Sequence, residues 1–171
     1  YTQDVTEKKM QEQLLKRIAE LDYESITEVD ILRDTAYRTI LVDESGMDTM
    51  LPDRSRFQAE IRAISGRYMD GTAGEEYLQK LDYDYMKSQL ARNDAYTFIV
   101  EMRDITGATR VKRFRVFYIS RELERVCVAR TDVTDVVLKE QRQKEELAAA
   151  LVAAEQANAA KSDFLSRMSH E

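Results

Sequence analysis

Residues 96–135 read YTFIVEMRDITGATRVKRFRVFYISRELERVCVARTDVTD. Tyr96, Phe98, Val100 and Met102 alternate with Thr97, Glu101 and Arg103, the period-2 pattern of a strand with one buried face. Asp104 to Thr109, with Gly107, has the composition of a hairpin turn. The next strand, Arg110 to Ser120, puts Phe114, Val116 and Tyr118 on one face and Phe117 and Ile119 on the other. After the charged turn Arg121-Glu122-Leu123-Glu124, Arg125 to Thr131 forms a last strand centred on Val126-Cys127-Val128-Ala129. The stretch therefore predicts three successive antiparallel strands closing a domain.

Upstream, the pattern changes twice. Ser25 to Leu32 alternates with Thr27, Val29 and Ile31 on one face, and Ala36 to Val42 makes a second strand. A turn at Arg33-Asp34-Thr35 joins them as a hairpin. Asp43 to Arg56 reads as a loop holding Gly46 and the chain's one proline, Pro52. Phe57 to Met69 and Glu75 to Arg92 read as helices, interrupted by Asp70-Gly71-Thr72-Ala73-Gly74. Phe117 and Ile119 face away from those helices, so a cover is expected over them, because an open apolar sheet face is an aggregation liability.

Both ends lack Gly and Pro and read as helix. Near the start, Met10, Leu14, Ile18 and Leu21 form one apolar stripe, the natural cover for Phe117 and Ile119 from this chain or a second copy. The phrase Asp4-Val5-Thr6-Glu7 returns as Asp132-Val133-Thr134-Asp135, each time ahead of a helical stretch. Side-chain oxygens of this kind accept from the unpaired N–H groups at a helix start. From Val133 onward a heptad seam runs through Val137, Glu140, Lys144, Leu147, Leu151, Ala154, Asn158, Lys161, Leu165 and Met168. At 1.5 Å per residue this helix would extend about 58 Å. Its polar seam positions weaken a zipper, as befits either a coiled coil that shifts between two arrangements of similar energy or a solvated, Ala-rich helix with little function of its own.

Composition narrows the function classes. The chain has 171 residues, 43% apolar and 34% charged, with a formal charge of −6. That size suits one domain with appendages. Acidic and basic residues are interleaved, which excludes the clustered basic footprint of a nucleic-acid binder. A lone cysteine, Cys127, excludes an internal disulfide and fits a reducing compartment. No apolar run approaches a membrane span, and no signal peptide opens the chain. No Cys/His cluster points to a metal.

The last ten residues, Ser162-Asp163-Phe164-Leu165-Ser166-Arg167-Met168-Ser169-His170-Glu171, hold the only histidine. An imidazole nitrogen attacks phosphoryl groups, and a neighbouring carboxylate orients or accepts its proton. On the heptad register His170 lies outward of the seam, two residues past Met168. With the preceding Ala160-Lys161, this stretch resembles the H-box that opens the dimerisation and phosphotransfer domain of bacterial sensor histidine kinases. Two strands, several helices and three strands ending in Asp-x-Thr likewise resemble a PAS domain.

The resemblance implies an α+β fold, a five-stranded antiparallel sheet with helices on one face, flanked by N-terminal and long C-terminal coiled-coil helices. It divides the chain into the tail of an upstream PAS-like domain (1–7), a linker helix (8–21), the PAS domain (22–135), a signalling coiled coil (136–161) and the truncated start of the phosphoacceptor helix (162–171). His170 would be the phosphoacceptor and Glu171 its general base or orienter. ATP and Mg would be held by a separate kinase domain, so this stretch is expected to be inactive alone and to hold no cofactor. The implied partners are a second copy, joined through both terminal helices, and a response regulator receiver domain; the implied location is the bacterial cytoplasm.

The sensed ligand stays open. A haem would need a histidine within the domain, and a photoactive flavin a helical cysteine, whereas Cys127 sits on a strand as a small core residue. Tyr37, Tyr68, Tyr77 and Tyr96 are equally suited to lining a small-molecule pocket or to packing as core. Two other functions compete: a ligand-free PAS dimerisation scaffold, and a PAS regulator of another output such as a cyclic-dinucleotide synthase.

Overall fold

The chain folds in the order α1 (Thr2–Asp22), β1 (Ser25–Asp30), β2 (Thr35–Leu41), β3 (Arg54–Ser55), α2 (Phe57–Tyr68), α3 (Gly71–Lys80), α4 (Tyr83–Leu90), β4 (Ala95–Arg103), β5 (Thr109–Ser120), β6 (Arg125–Asp132) and α5 (Thr134–His170). This computed structural model describes residues 2–41 and 54–170. Two compact units result, Tyr1–Val133 and Thr134–Glu171.

The first unit is α+β. Its strands form one antiparallel sheet in the order β3-β2-β1-β6-β5-β4. The first and last strands of the domain thus pair at its centre, β1 against β6 from Ser25↔Arg130 to Asp30↔Arg125. The alternation read in residues 96–102 is realised: Phe98, Val100 and Met102 are buried, and Thr97, Ile99 and Glu101 are exposed. Together with Val29, Phe114, Val116, Val126 and Val128 they pack against Phe57, Ile61, Ile64, Tyr77, Leu81, Met86 and Leu90 from the helices. Phe98 and Phe114 stack across β4 and β5 with ring centroids 5.0 Å apart.

Several expectations are corrected. The sheet has six strands rather than five, because Arg54–Ser55, within the expected loop, pairs with Ala36 and Tyr37 at the edge of β2. Two residues are too few to show alternation. Gly46 and Pro52 of the same expected loop, and Val42 at the end of the expected second strand, lie outside the described residues. Strand β1 stops at Asp30 because its Oδ1 accepts the Arg33 N–H at 3.1 Å and closes the turn.

The expected helix over 75–92 is two helices, and the Gly-containing break ahead of it shortens to Met69 and Asp70. Helix α3 starts at Gly71, whose φ of +40 suits glycine. The chain divides again at Asp82, whose Oδ2 accepts from the N–H groups of Asp84 and Tyr85, so α4 starts with a side-chain cap.

At the N-terminus α1 already runs through Asp4 and Thr6. Thr6 Oγ1 donates back to the Thr2 carbonyl at 2.9 Å, so this first Asp-Val-Thr lies within the helix rather than at its start. Helix α1 packs against β2, leaving Ile119 of β5 53% exposed and Phe117 half-buried. Met10 and Leu14 of the expected stripe are exposed; the side chains of Ile18 and Leu21 lie outside the described residues.

The second unit is the single helix α5, 37 residues long with none buried. None of the helices among the described residues is long and apolar enough to cross a membrane.

Candidate functional site

Three places carry chemistry: the end of α5, the interior between sheet and helices, and the corner where the chain enters and leaves the sheet. His170 is the last residue of α5 and is exposed. The helix around it is held by local contacts. Arg167 pairs with Asp163 one turn back at 3.1 Å, and Ser169 Oγ donates to the Ser166 carbonyl at 3.2 Å. Glu171, expected beside the imidazole, lies outside the described residues. Among the described residues no cluster of His, Cys, Asp and Glu is arranged to hold a metal ion.

In the interior, a pocket of about 30 Å³ lies among Thr27, Arg38, Phe57, Glu60, Ile61, Tyr77, Phe114 and Arg130, with a few neighbours. That is room for about one water molecule. Its polar wall is an ion pair: Arg38 on β2 meets Glu60 on α2, and Ser55 of β3 also donates to Glu60. The Arg38 and Glu60 side chains are 5% and 6% exposed. Removing one member of so buried a pair strands the other charge, a loss of about 3–5 kcal/mol.

The four tyrosines named as pocket candidates do not converge. Tyr77 lines the pocket and meets the Phe114 ring edge-on at 5.5 Å. Tyr96 donates its hydroxyl to the Lys80 carbonyl at 2.6 Å. Burial, with the nearby Tyr85 adding to it, pushes the Tyr96 phenol above the usual tyrosine range. Tyr68 borders a separate, open groove with Asp70 and Arg103. Tyr37 lies under the Arg54 guanidinium, 5.1 Å from its ring centre. Cys127 is buried on β6, and that burial pushes its thiol up to about 11, which makes it a poor nucleophile at neutral pH.

The third place was not anticipated. Lys112 of β5, with its side chain 0% exposed, sits 2.8 Å from the Glu24 carboxylate and 3.0 Å from Asp132. Arg130 Nε reaches Glu24 at 2.5 Å. Asp132 belongs to the Asp-Val-Thr that precedes α5, so the motif's carboxylate is bound into the sheet. A signal for this corner was present. Continuing the alternation from Val116 and Phe114 points Lys112 inward, and continuing it from Val126 and Val128 does the same for Arg130.

Comparison with known proteins adds little. No family model matches the chain, and no curated protein matches it. Among solved structures, a sensory box histidine kinase/response regulator from Burkholderia thailandensis is similar at 19% identity, covering 72% of this chain and 88% of that one with a TM-score of 0.42.

Proposed function

We propose that the chain is the sensory and signal-transmitting PAS region of a bacterial sensor histidine kinase, working in two-component signal transduction in the cytoplasm. The observation that carries this reading is the H-box-like stretch, whose residues 160–170 lie on a helix that starts directly after Asp132-Val133. A domain ending in Asp-x-Thr, a long helix and a solvent-facing histidine occur in the order a phosphorelay needs. Two copies pair through their terminal helices, and α5 relays a change in the PAS domain toward His170. A phosphoacceptor must be reachable, first by a kinase domain holding ATP and Mg and then by a receiver domain. The exposure of His170 suits that sequence of encounters. In this reading Glu171, next in sequence, orients or deprotonates the imidazole.

The test uses a chain extended through an ATP-binding domain and incubated with γ-labelled ATP. Label is expected on His170 and is expected to vanish in His170→Ala. Undiminished labelling of that variant would overturn the assignment.

A second reading, a PAS scaffold that dimerises without sensing a ligand, is favoured by one observation. The pocket between sheet and helices is filled by the Arg38–Glu60 pair and leaves only about 30 Å³, far below the several hundred Å³ of an ordinary small-molecule site. In both readings the output passes through α5. They differ in whether anything but side chains occupies the interior.

A further inference from the structure

We propose that Lys112 is a clasp that ties the chain's entry into the sheet to its exit from it, so that loosening either one loosens the other. Glu24 lies between the last residue of α1, Asp22, and the first of β1, Ser25. Asp132 is the last residue of β6, two positions before α5 begins. The two carboxylates are 108 positions apart in the sequence, yet the Lys112 ammonium lies within 3.0 Å of both.

Further bonds fasten each side. Glu24 N–H donates to the Arg130 carbonyl at 3.0 Å, and Thr131 Oγ1 donates to the Asp22 carbonyl at 3.0 Å. Arg130 Nε reaches Glu24, so two cations face two carboxylates. On the exit side Val133 N–H donates to the Val111 carbonyl at 2.9 Å, next to Lys112 itself. Arg110 stands 3.9 Å from Asp132 at the partly exposed rim.

An ammonium with no exposed surface cannot be rehydrated in place. If Asp132 moves away with the start of α5, Lys112 is left undercompensated, and the closed cluster that also holds the entry segment at Glu24 becomes less stable. The reverse holds when Glu24 is pulled by α1. Coupling of this kind is reciprocal by thermodynamic necessity. It goes beyond the proposed phosphorelay and stands whether or not His170 accepts phosphate.

Hydrogen exchange of the 171-residue chain tests it. Glu24→Gln is expected to raise exchange in the second turn of α5, amides 138–143, by about fivefold or more, the low end of typical coupling between sites. Asp132→Asn is expected to do the same for amides 17–24. Amides of α2 and β4 should stay unchanged in both variants. Lys112→Met should loosen both segments together; if it does not fold, the two carboxylate variants decide alone. Effects confined to each variant's own side of the cluster would overturn the clasp. So would a uniform rise across the domain, which signals lost stability rather than coupling.

Discussion

Asp104 heads the turn between β4 and β5, and its Oδ1 accepts from the Thr106 hydroxyl at 2.5 Å, the Thr106 N–H at 2.8 Å and the Ala108 N–H at 3.0 Å. Gly107 completes the turn at φ +84. The Thr106 hydroxyl above all, then the backbone donors and Arg110, hold the Asp104 carboxyl down at about 2. An unfolded aspartate titrates near 3.9, so the folded value is the lower one. The carboxylate's contribution is therefore present above about pH 4 and is lost as the pH falls through about 2. A carboxyl-carbon NMR titration should find the Asp104 midpoint near 2, moving toward the ordinary value in Thr106→Val. A midpoint at the ordinary value in the unmodified chain would contradict the bonding described. This turn was legible from Asp104 and Gly107 alone. Arg38, Lys112 and Arg130 were not read, because alternation pointed them inward while their charge argued for solvent. Their partners decide it, and Glu60, Glu24 and Glu24 lie 22, 88 and 106 residues away, distances at which a single sequence gives no pairing signal.

At the scale of elements, every strand but the two-residue β3 was legible and the helix boundaries were not. Strands declare themselves here by period-2 alternation, as in Phe98, Val100 and Met102. The boundary between α3 and α4 depends on one capping side chain, Asp82, in a segment whose composition is helical throughout. Gly71 misled in the opposite direction: it reads as a breaker, yet at a helix start its permissive φ is an asset. Asp82→Ala should cost about 1 kcal/mol of stability. This is measured as a lower urea midpoint with an unchanged slope; an unmoved midpoint would mean that α4 does not need its cap. A second brace joins α2 and α4 to the first hairpin. Asp34, at φ +49 between β1 and β2, accepts from the Gln58 N–H at 3.1 Å and from the Tyr83 hydroxyl at 2.5 Å. Burial and this bond push the Tyr83 phenol well above the usual tyrosine range.

Across the whole molecule, α5 presents Leu147, Leu151, Phe164, Leu165 and Met168, each more than half exposed. So many bare apolar side chains on one helix are at odds with a solitary chain in water. The proposed pairing of two copies gives them a partner. Native mass spectrometry at micromolar concentration should therefore find twice the mass of the chain. It also separates the two functional readings: a retained small molecule supports the sensor, and an unadorned dimer supports the scaffold. A monomer would remove the transmitter from both. The order of the sheet could not be read beforehand, because the pairing of β1 with β6 joins segments from opposite ends of the domain. What the alternation did supply was which face of β1, β4 and β5 turns inward.

Strand β4 ends the sheet, so along one side its nine residues meet no further strand among those described. Such a margin is a template on which a foreign ribbon can stack. Glu101 and Arg103 guard its far half with charge, and Arg103 is braced to Asp70 at 2.6 Å. The near half, around Thr97 and Ile99, carries no such guard, so when this protein is concentrated or partly denatured, fibrous association should begin there.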